Sequence, residues 1–311
     1  KKSIPFFVLG EGSNILVSDA GFSGLVLKLS AARITLEDHE SGQALLLADA
    51  GARWDDAVAV AVSKNLHGIE NLSYIPGTAG AAPVQNIGAY GAELADTLLW
   101  VEAFDVRAKK QIRLSKDECG FKYRDSIFKQ KNVLPADQAG ATLIITRVAF
   151  ALKKDRAPDI SYKDVKEYFK TTGVRPTIAT LRDAVIAIRH AKLPDMTHVG
   201  TAGSFFKNPI ISAARFNELR AAYPDIPGFP FQGDRIKIPL AWILDHVCGL
   251  KGFREGNVGT HERQPLAIVN YGGATASEIR AFAEKLQRIV KEKTGIMPDY
   301  EVSLVGDWDK K

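Results

Sequence analysis

Five stretches of the chain carry residue types and spacings that could do chemistry. Leu9-Gly10-Glu11-Gly12-Ser13-Asn14 follows a short apolar run. Its glycines let backbone N–H groups approach a phosphate, and Ser13 and Asn14 can add side-chain hydrogen bonds. A dinucleotide fingerprint would need glycine where Ile15 stands, and the Gly-Lys-Ser/Thr of a Walker loop is absent. A tight turn between two strands accounts for these glycines equally well. The second stretch, Ile75 to Gly91, is rich in Gly, Ala and Pro and almost free of charge. Backbone buried in such a segment must find hydrogen-bond partners, and a large polar heterocycle lying against it would supply them; a buried linker is the plainer alternative.

The third is Tyr123-Arg124-Asp125-Ser126, where Arg124 could be an ordinary ion-pair residue. In the fourth, Gly200-Thr201-Ala202-Gly203-Ser204-Phe205-Phe206-Lys207-Asn208-Pro209, small residues hold Ser204 between a flexible loop and two aromatics. Phe206 stands where a nucleophile elbow needs its second glycine, which disfavours a Ser–His–acid hydrolase. The fifth is Glu301 in the final strand, which could equally be a surface carboxylate. His246 and His261 have no His, Cys or acid partner at metal spacing and read as structural histidines.

Elements to position these groups can be read from periodicity. Phe6–Leu9, Ile15–Val17, Leu25–Leu29, Ile34–Leu36, Ala44–Ala48, Val101–Asp105 and Leu143–Phe150 are short apolar or alternating runs, predicted as strands. Trp54, Ala57, Val58, Ala61 and Val62 share one face of a helix over 54–64. A helix over 180–192 has Thr180 and Asp183 at cap spacing and a stripe of Leu181, Ala184, Val185 and Ile188. The last helix begins at a Thr275/Glu278 capping box, buries Ile279, Phe282, Leu286, Ile289 and Val290, and ends at Gly295; Glu301–Val305 is the final strand. The polar stretch Ala157–Thr177, with Tyr162, Tyr168 and Phe169, reads as an excursion between domains. The whole is α+β.

Composition excludes several classes. No apolar run approaches the roughly 20 residues of a membrane span, and Lys1–Gly10 is too short for a signal peptide and reads as a core strand. Two isolated cysteines, Cys119 and Cys248, make no disulfide framework, so a reducing cytoplasm is expected. The net charge of +5 is dispersed, without a basic run interleaved with aromatics, which argues against nucleic acid and suits a small anionic ligand.

Together, in this order and at these separations, the motifs resemble the UDP-N-acetylenolpyruvoylglucosamine reductase (UDP-N-acetylmuramate dehydrogenase) family from Leu9 to Gly306. Tyr-Arg-Asp-Ser-Ile-Phe-Lys and the Tyr162 segment resemble its longer subtype, with a substrate-covering tyrosine loop. The resemblance implies a vanillyl-alcohol-oxidase (PCMH) type FAD-binding domain plus a smaller α+β substrate-binding domain. It divides the chain into residues 1–30 with 296–311, a first FAD-binding subdomain whose front part is missing; 31–192, a second one with the tyrosine loop; and 193–295, the substrate-binding domain. The family usually carries roughly forty residues before the Gly-Ser-Asn loop, an initial β-α-β segment.

The resemblance further implies non-covalent FAD, NADPH as co-substrate, small-molecule partners without nucleic acid or membrane, a monomer, and a cytoplasmic location. His and Cys, which tether flavin in some relatives of this fold, are absent from Leu9–Asp19 and Pro76–Glu93. Gly10, Gly12, Ser13 and Asn14 would hold the FAD pyrophosphate, and Gly80, Val84, Gln85, Ile87 and Gly88 would lie along the cofactor. Arg124, Ser204 and Glu301 would be catalytic, and Tyr162, Arg189, Lys192, Asn208 and Gln264 would contact the UDP-sugar. Arg189 and Lys192, three apart on a helix, can face one anion. Ala81 and Ala82 replace hydroxyl residues common in the family, leaving only backbone donors there. Ser204 would be a proton donor, Arg124 would meet developing negative charge, Glu301 would help as an acid or hydrogen-bond donor, which requires a raised pKa, and Lys207 is a candidate for the positive potential Ser204 needs. Rival readings are a flavin enzyme of this fold that oxidises a sugar or alcohol, and a non-catalytic nucleotide-binding protein.

Overall fold

In the computed structural model, which describes residues 4–40, 42–132 and 143–308, the chain folds as two units. One comprises Lys1–Gly12 and Ser23–Ala191, the other Ser13–Phe22 and Lys192–Lys311. The first break falls inside the Gly-Ser-Asn loop, so each unit carries part of that motif.

The first unit is built on a five-stranded antiparallel sheet, in the order Ile34–His39, Gln43–Asp49, Leu143–Lys153, Leu98–Asp105 and Lys110–Ser115. Gln43–Asp49 buries alternate residues, as a strand with one covered face must. Helix α1 (Trp54–Ser63) covers that face with Trp54, Ala57, Val58 and Ala61, as its spacing predicts. Trp54 meets Phe150 edge-on at 5.5 Å and donates its indole N–H to Leu72 O, so its large ring is buried without an orphaned donor. A short helix α2 (Ile127–Asn132) follows the Tyr-Arg-Asp-Ser motif. Phe6–Leu9 pairs in parallel with Leu25–Lys28, which delivers Gly10 to the end of a strand.

Two expectations are corrected in this unit. The 157–177 stretch contains helix α3 (Lys163–Thr172), ended by Gly173 in the left-handed conformation. Its apolar signal is thin, because only Val165 and Phe169 are buried, against Leu181, Ala184, Val185 and Ile188 of α4 (Ile178–Lys192). The cap of α4 is Thr177 and not Thr180: the Thr177 hydroxyl accepts from Thr180 N, and the Thr180 hydroxyl accepts from Thr177 N. A threonine at both positions makes the caps look alike in sequence, and Ile178 as the first buried residue decides between them.

The second unit has a four-stranded sheet ordered Gly200–Ser204, Ala267–Asn270, Val258–Thr260 and Arg254–Glu255, and a three-stranded sheet ordered Ile210–Ser212, Arg235–Lys237 and Phe229–Phe231. Helix α5 (Ala213–Ala222) and the short α6 (Leu240–Trp242) join its core. The long α7 (Ala276–Thr294) has the predicted Thr275/Glu278 capping box and Gly295 cap, and buries Phe282, Leu286 and Val290. Asp19 adds a second cap, accepting from Ala276 N, Ser277 N and the Ser277 hydroxyl. The last strand is shorter than predicted: Ser303–Val305 pairs in parallel with Ile15–Val17, and Glu301 precedes it. Among the described residues, no helix is long and apolar enough to cross a membrane.

Candidate active site

In the first unit the second motif forms a continuous surface of backbone. After Thr78 the chain makes a tight turn and a 3₁₀ helix (Ala82–Gln85), then two two-residue strands, Gly88–Ala89 and Ala92–Glu93. Gly80 lies so close to Ala50 that a Cβ would stand 2.5 Å from Ala50 Cβ and 2.9 Å from Ala50 Cα, while its N–H donates to Ala50 O. Gly80→Val is therefore expected to destabilise the unit by at least about 2 kcal/mol, since overpacking against backbone has no soft neighbour to move; a thermal melt with and without added FAD measures it.

Gly10 belongs to the same surface, a Cβ there lying 3.0 Å from Ala81 Cβ. Glu11 accepts from Gly77 N at 2.9 Å and faces Arg53 at 3.7 Å, while Gly12 takes a left-handed φ of 75°. Among the described residues, no backbone carbonyl receives the N–H groups of Gly10, Glu11 or Gly12. Backbone N–H groups in succession at the end of a strand, with glycines at positions 10 and 12, suit a pyrophosphate, and the residues present fit FAD in that respect.

Arg124 is drawn onto this surface. Its Nη2 donates to Gly88 O at 2.6 Å, and Nη1 approaches Asn86 O at 3.5 Å. A Cβ on Gly88 would meet Arg124 Nη1 at 2.9 Å. Two residues that sequence reasoning left unassigned hold this arrangement. Asn86 is buried; its amide donates to the Glu93 carboxylate and Lys122 O and its Oδ1 accepts from Ala95 N. Ser126, also buried, donates to Val84 O at 2.6 Å and accepts from Phe128 N at the start of α2. Val84 and Ser126 thus tie the second and third motifs together. Tyr74, Asn86, Tyr90 and Arg124 all have positive φ, between 46° and 60°. Asn65 and Lys109 share that backbone conformation elsewhere in the unit, and at the four residues named the strain lies in or next to the second and third motifs. Gln85 is half-buried and Ile87 buried along the same run.

Tyr162 and Arg189 also belong to this unit. The Tyr162 ring meets Tyr90 edge-on at 5.4 Å. Arg189 donates to Tyr74 O at 3.1 Å and to the Tyr90 hydroxyl. Burial pushes the Tyr90 hydroxyl up to about 12, against the pull of Arg189, and raises Tyr162 as well; burial also lowers Arg189. Helix α4 is held here by Arg182, whose two guanidinium nitrogens each donate to Asp55 at 2.7 Å, while Asp55 also accepts from Tyr74 N. Burial works to raise the Asp55 carboxyl, but Arg182, the Tyr74 N–H and Arg53 outweigh it and hold the carboxyl below its ordinary value. A lowered folded value means stability that is complete above the ordinary carboxylate range near pH ~4 and is lost as pH falls through the folded value. Asp55→Asn should cost about 1.5–3 kcal/mol at neutral pH and flatten the acid limb of a urea-denaturation series.

The second unit gathers the remaining groups. Ser204 ends an edge strand, paired with Ala267, after a register shift that includes Gly203 at a φ of 74°. A bulge of this kind re-aims a side chain at the end of pairing. The next residue, Phe205, donates to Leu266 O, and its own carbonyl accepts from Glu301 N at 2.9 Å. Phe206 pairs with Tyr300, and their rings stack at 5.4 Å. Glu301 is thereby set beside the Ser204 segment by backbone pairing. Asn14 joins them, its amide donating to Glu301 O at 3.2 Å and its carbonyl accepting from Ser303 N. Ser13 is half-buried beside it. Lys207 N donates to Asp299 O.

Asn208 accepts from Leu240 N and so fixes the start of α6. Gln264 lies in the loop that leads to Ala267, and its Oε1 is buried without a partner among the described residues. The Lys192 carbonyl accepts from His261, whose ring is held below its ordinary value by burial and by Arg263. His246 stacks on Trp242 at 4.8 Å. The predicted residues thus fall into two sets, one in each unit: Gly10, Gly12, Gly80, Val84, Gln85, Ile87, Gly88, Arg124, Tyr162 and Arg189 in the first, and Ser13, Asn14, Lys192, Ser204, Asn208, Gln264 and Glu301 in the second.

Residues 1–114 match the FAD binding domain family, and residues 195–305 match the UDP-N-acetylenolpyruvoylglucosamine reductase, C-terminal domain family. The fold and the two family matches define an FAD-containing oxidoreductase, with a vanillyl-alcohol-oxidase (PCMH) type FAD-binding domain and a smaller α+β domain. The UDP-N-acetylenolpyruvoylglucosamine reductase of Chromobacterium violaceum is 42% identical over 294 residues, which cover 94% of this chain and 84% of that protein. The protein of the same name from Porphyromonas gingivalis W83 is 40% identical over 297 residues, covering 96% and 85%. The crystal structure of UDP-N-acetylenolpyruvylglucosamine reductase from Thermus caldophilus is similar with a TM-score of 0.64 at 25% identity, covering 98% of this chain and 86% of that one. The chain belongs to the UDP-N-acetylenolpyruvoylglucosamine reductase family.

Proposed function

We propose that the chain reduces the enolpyruvyl group of UDP-N-acetylglucosamine enolpyruvate to the lactyl ether of UDP-N-acetylmuramate, in peptidoglycan precursor synthesis, with NADPH as co-substrate and FAD held non-covalently. It works as a monomer in the cytoplasm. The observation that carries this reading is the gathering of Asn14, Ser204 and Glu301 around one backbone pairing, in a chain of this family.

Gly10, Gly12, Ser13 and Asn14 would hold the FAD pyrophosphate, and Gly80, Val84, Gln85, Ile87 and Gly88 would lie along the cofactor. FAD bound there would supply hydride chemistry between NADPH and the vinyl methylene carbon. Negative charge then develops on the neighbouring carbon and its carboxylate. Arg124 binds that carboxylate through its planar guanidinium fork and offsets the charge. Ser204 delivers its hydroxyl proton to the neighbouring carbon, completing addition of two hydrogens across the double bond, and Glu301 assists as an acid. Tyr162, Arg189, Lys192, Asn208 and Gln264 hold the UDP-sugar. Residues 1–30 with 296–311 and residues 31–192 serve FAD, and 193–295 the substrate.

The test is NADPH consumption by the FAD-loaded chain. It should depend on the enolpyruvyl UDP-sugar and yield a product heavier by two hydrogens. Consumption with an alcohol or sugar donor and rapid reoxidation by O₂, without that product, would favour the oxidase-like alternative.

A further inference from the structure

Asn71 sits on a 3₁₀ turn, Glu70–Leu72, with 6% of its surface exposed. Its side-chain nitrogen donates to two carbonyls from distant parts of the chain, Tyr90 O at 3.0 Å and Asp159 O at 3.2 Å. Tyr90 carries the ring that meets Tyr162 edge-on. Asp159 opens the turn that leads to Tyr162, its carboxylate accepting from Ser161 N at 2.9 Å. The Tyr162 ring also lies over Gly91, where a Cβ would stand 4.0 Å from Tyr162 Cδ2. One buried carboxamide therefore fixes both segments that bring these tyrosines together.

The turn that carries Asn71 is itself anchored in the interior. The buried Glu70 carboxylate faces the His67 ring at 3.3 Å and accepts from Gly68 N at 2.5 Å, and the Ser73 hydroxyl donates to Glu70 O at 2.6 Å. A neutral amide is the short side chain with two donors on a single atom. Aspartate has the same shape but presents only acceptors to the two carbonyls.

We propose that Asn71 is a positioning residue for capture of the UDP-sugar: it staples the Tyr162 segment to the Tyr90 stretch and acts through those tyrosines without touching the ligand. The proposal rests on the reading that Tyr162 and Arg189 contact the UDP-sugar. Without the staple, residues 157–162 must be ordered again at each binding event. That cost falls on substrate affinity and spares the NADPH half-reaction. Lys154, Arg156 and Lys163 flank the segment, so trypsin reports its freedom directly.

The experiment compares the FAD-loaded parent chain with Asn71→Asp, Tyr162→Ala and the double variant. In Asn71→Asp, KM for the UDP-sugar should rise about tenfold or more while kcat falls less than about threefold. Reduction of bound FAD by NADPH should stay within about twofold, and cleavage after Arg156 should quicken about tenfold. In the Tyr162→Ala background, Asn71→Asp should raise KM no further, because the two residues act through one contact. Unchanged KM and cleavage would overturn the proposal, as would an additive KM effect or equal loss in both half-reactions. Asn71→Ser, which brings no charge, takes the place of the aspartate variant if that one does not fold, with the same results expected. If the parent chain does not turn over the enolpyruvyl substrate, the reading of Tyr162 fails separately; faster cleavage in the variant then still supports the staple and unchanged cleavage overturns it.

Discussion

Ser204→Ala is expected to leave reduction of FAD by NADPH largely intact and to slow the second half-reaction by about 10²-fold or more, the low end of general-acid contributions. The split between half-reactions follows from what the residue is proposed to do, since a proton is needed at carbon only after hydride arrives. The variant should fold normally. Ser204 is half-buried at the end of an edge strand whose register is set by backbone pairing to Ala267 and by the Phe205 bonds to Leu266 and Glu301. None of those contacts uses the hydroxyl. Rapid-mixing measurement of the two half-reactions checks this, and equal loss in both would argue against a proton-donor role.

Arg124→Met should cut the second half-reaction by about 10²–10³-fold, the range for removing one donor aimed at developing negative charge. It should also weaken FAD binding, which Ser204→Ala should not. The difference comes from where the guanidinium is held, on Gly88 O at 2.6 Å and near Asn86 O, in the stretch proposed to lie along the cofactor. Arg124→Lys separates the two contributions. A lysine keeps the charge but is a point donor and cannot span two carbonyls as a planar fork does. It should recover part of the rate and little of the FAD affinity, read by titrating apoprotein with FAD. Equal recovery of both would mean that charge alone explains Arg124.

Much of this was legible in the sequence wherever the local signal was strong. Trp54, Ala57, Val58 and Ala61 have helical spacing and are buried as that spacing predicts. The Thr275/Glu278 box and Gly295 bound α7 where their chemistry says a helix should begin and end. Helix α3 was not legible, because a helix that buries only Val165 and Phe169 owes its position to its packing on α4, which a local window does not contain. Glu301 was placed in a strand by its apolar neighbours; its position depends on pairing with Phe205, nearly a hundred residues earlier in the chain.

The polar scaffolding of the candidate site was the least legible part. Asn86 and Ser126 lie inside motifs that stood out, yet nothing in their local sequence says that one bonds Glu93, Lys122 and Ala95, or that the other bonds Val84. Those partners are set by tertiary folding. Residue types at motif spacing single out candidate groups for chemistry, whereas the groups that hold them in place become visible only with the fold.

The most direct measurement is an anaerobic stopped-flow experiment on the FAD-loaded chain. NADPH should bleach the flavin absorbance, and mixing with the enolpyruvyl UDP-sugar should then restore it in step with formation of UDP-N-acetylmuramate. Flavin that is bleached by NADPH and restored by O₂, but stays bleached in the presence of the enolpyruvyl substrate, would contradict the proposed function.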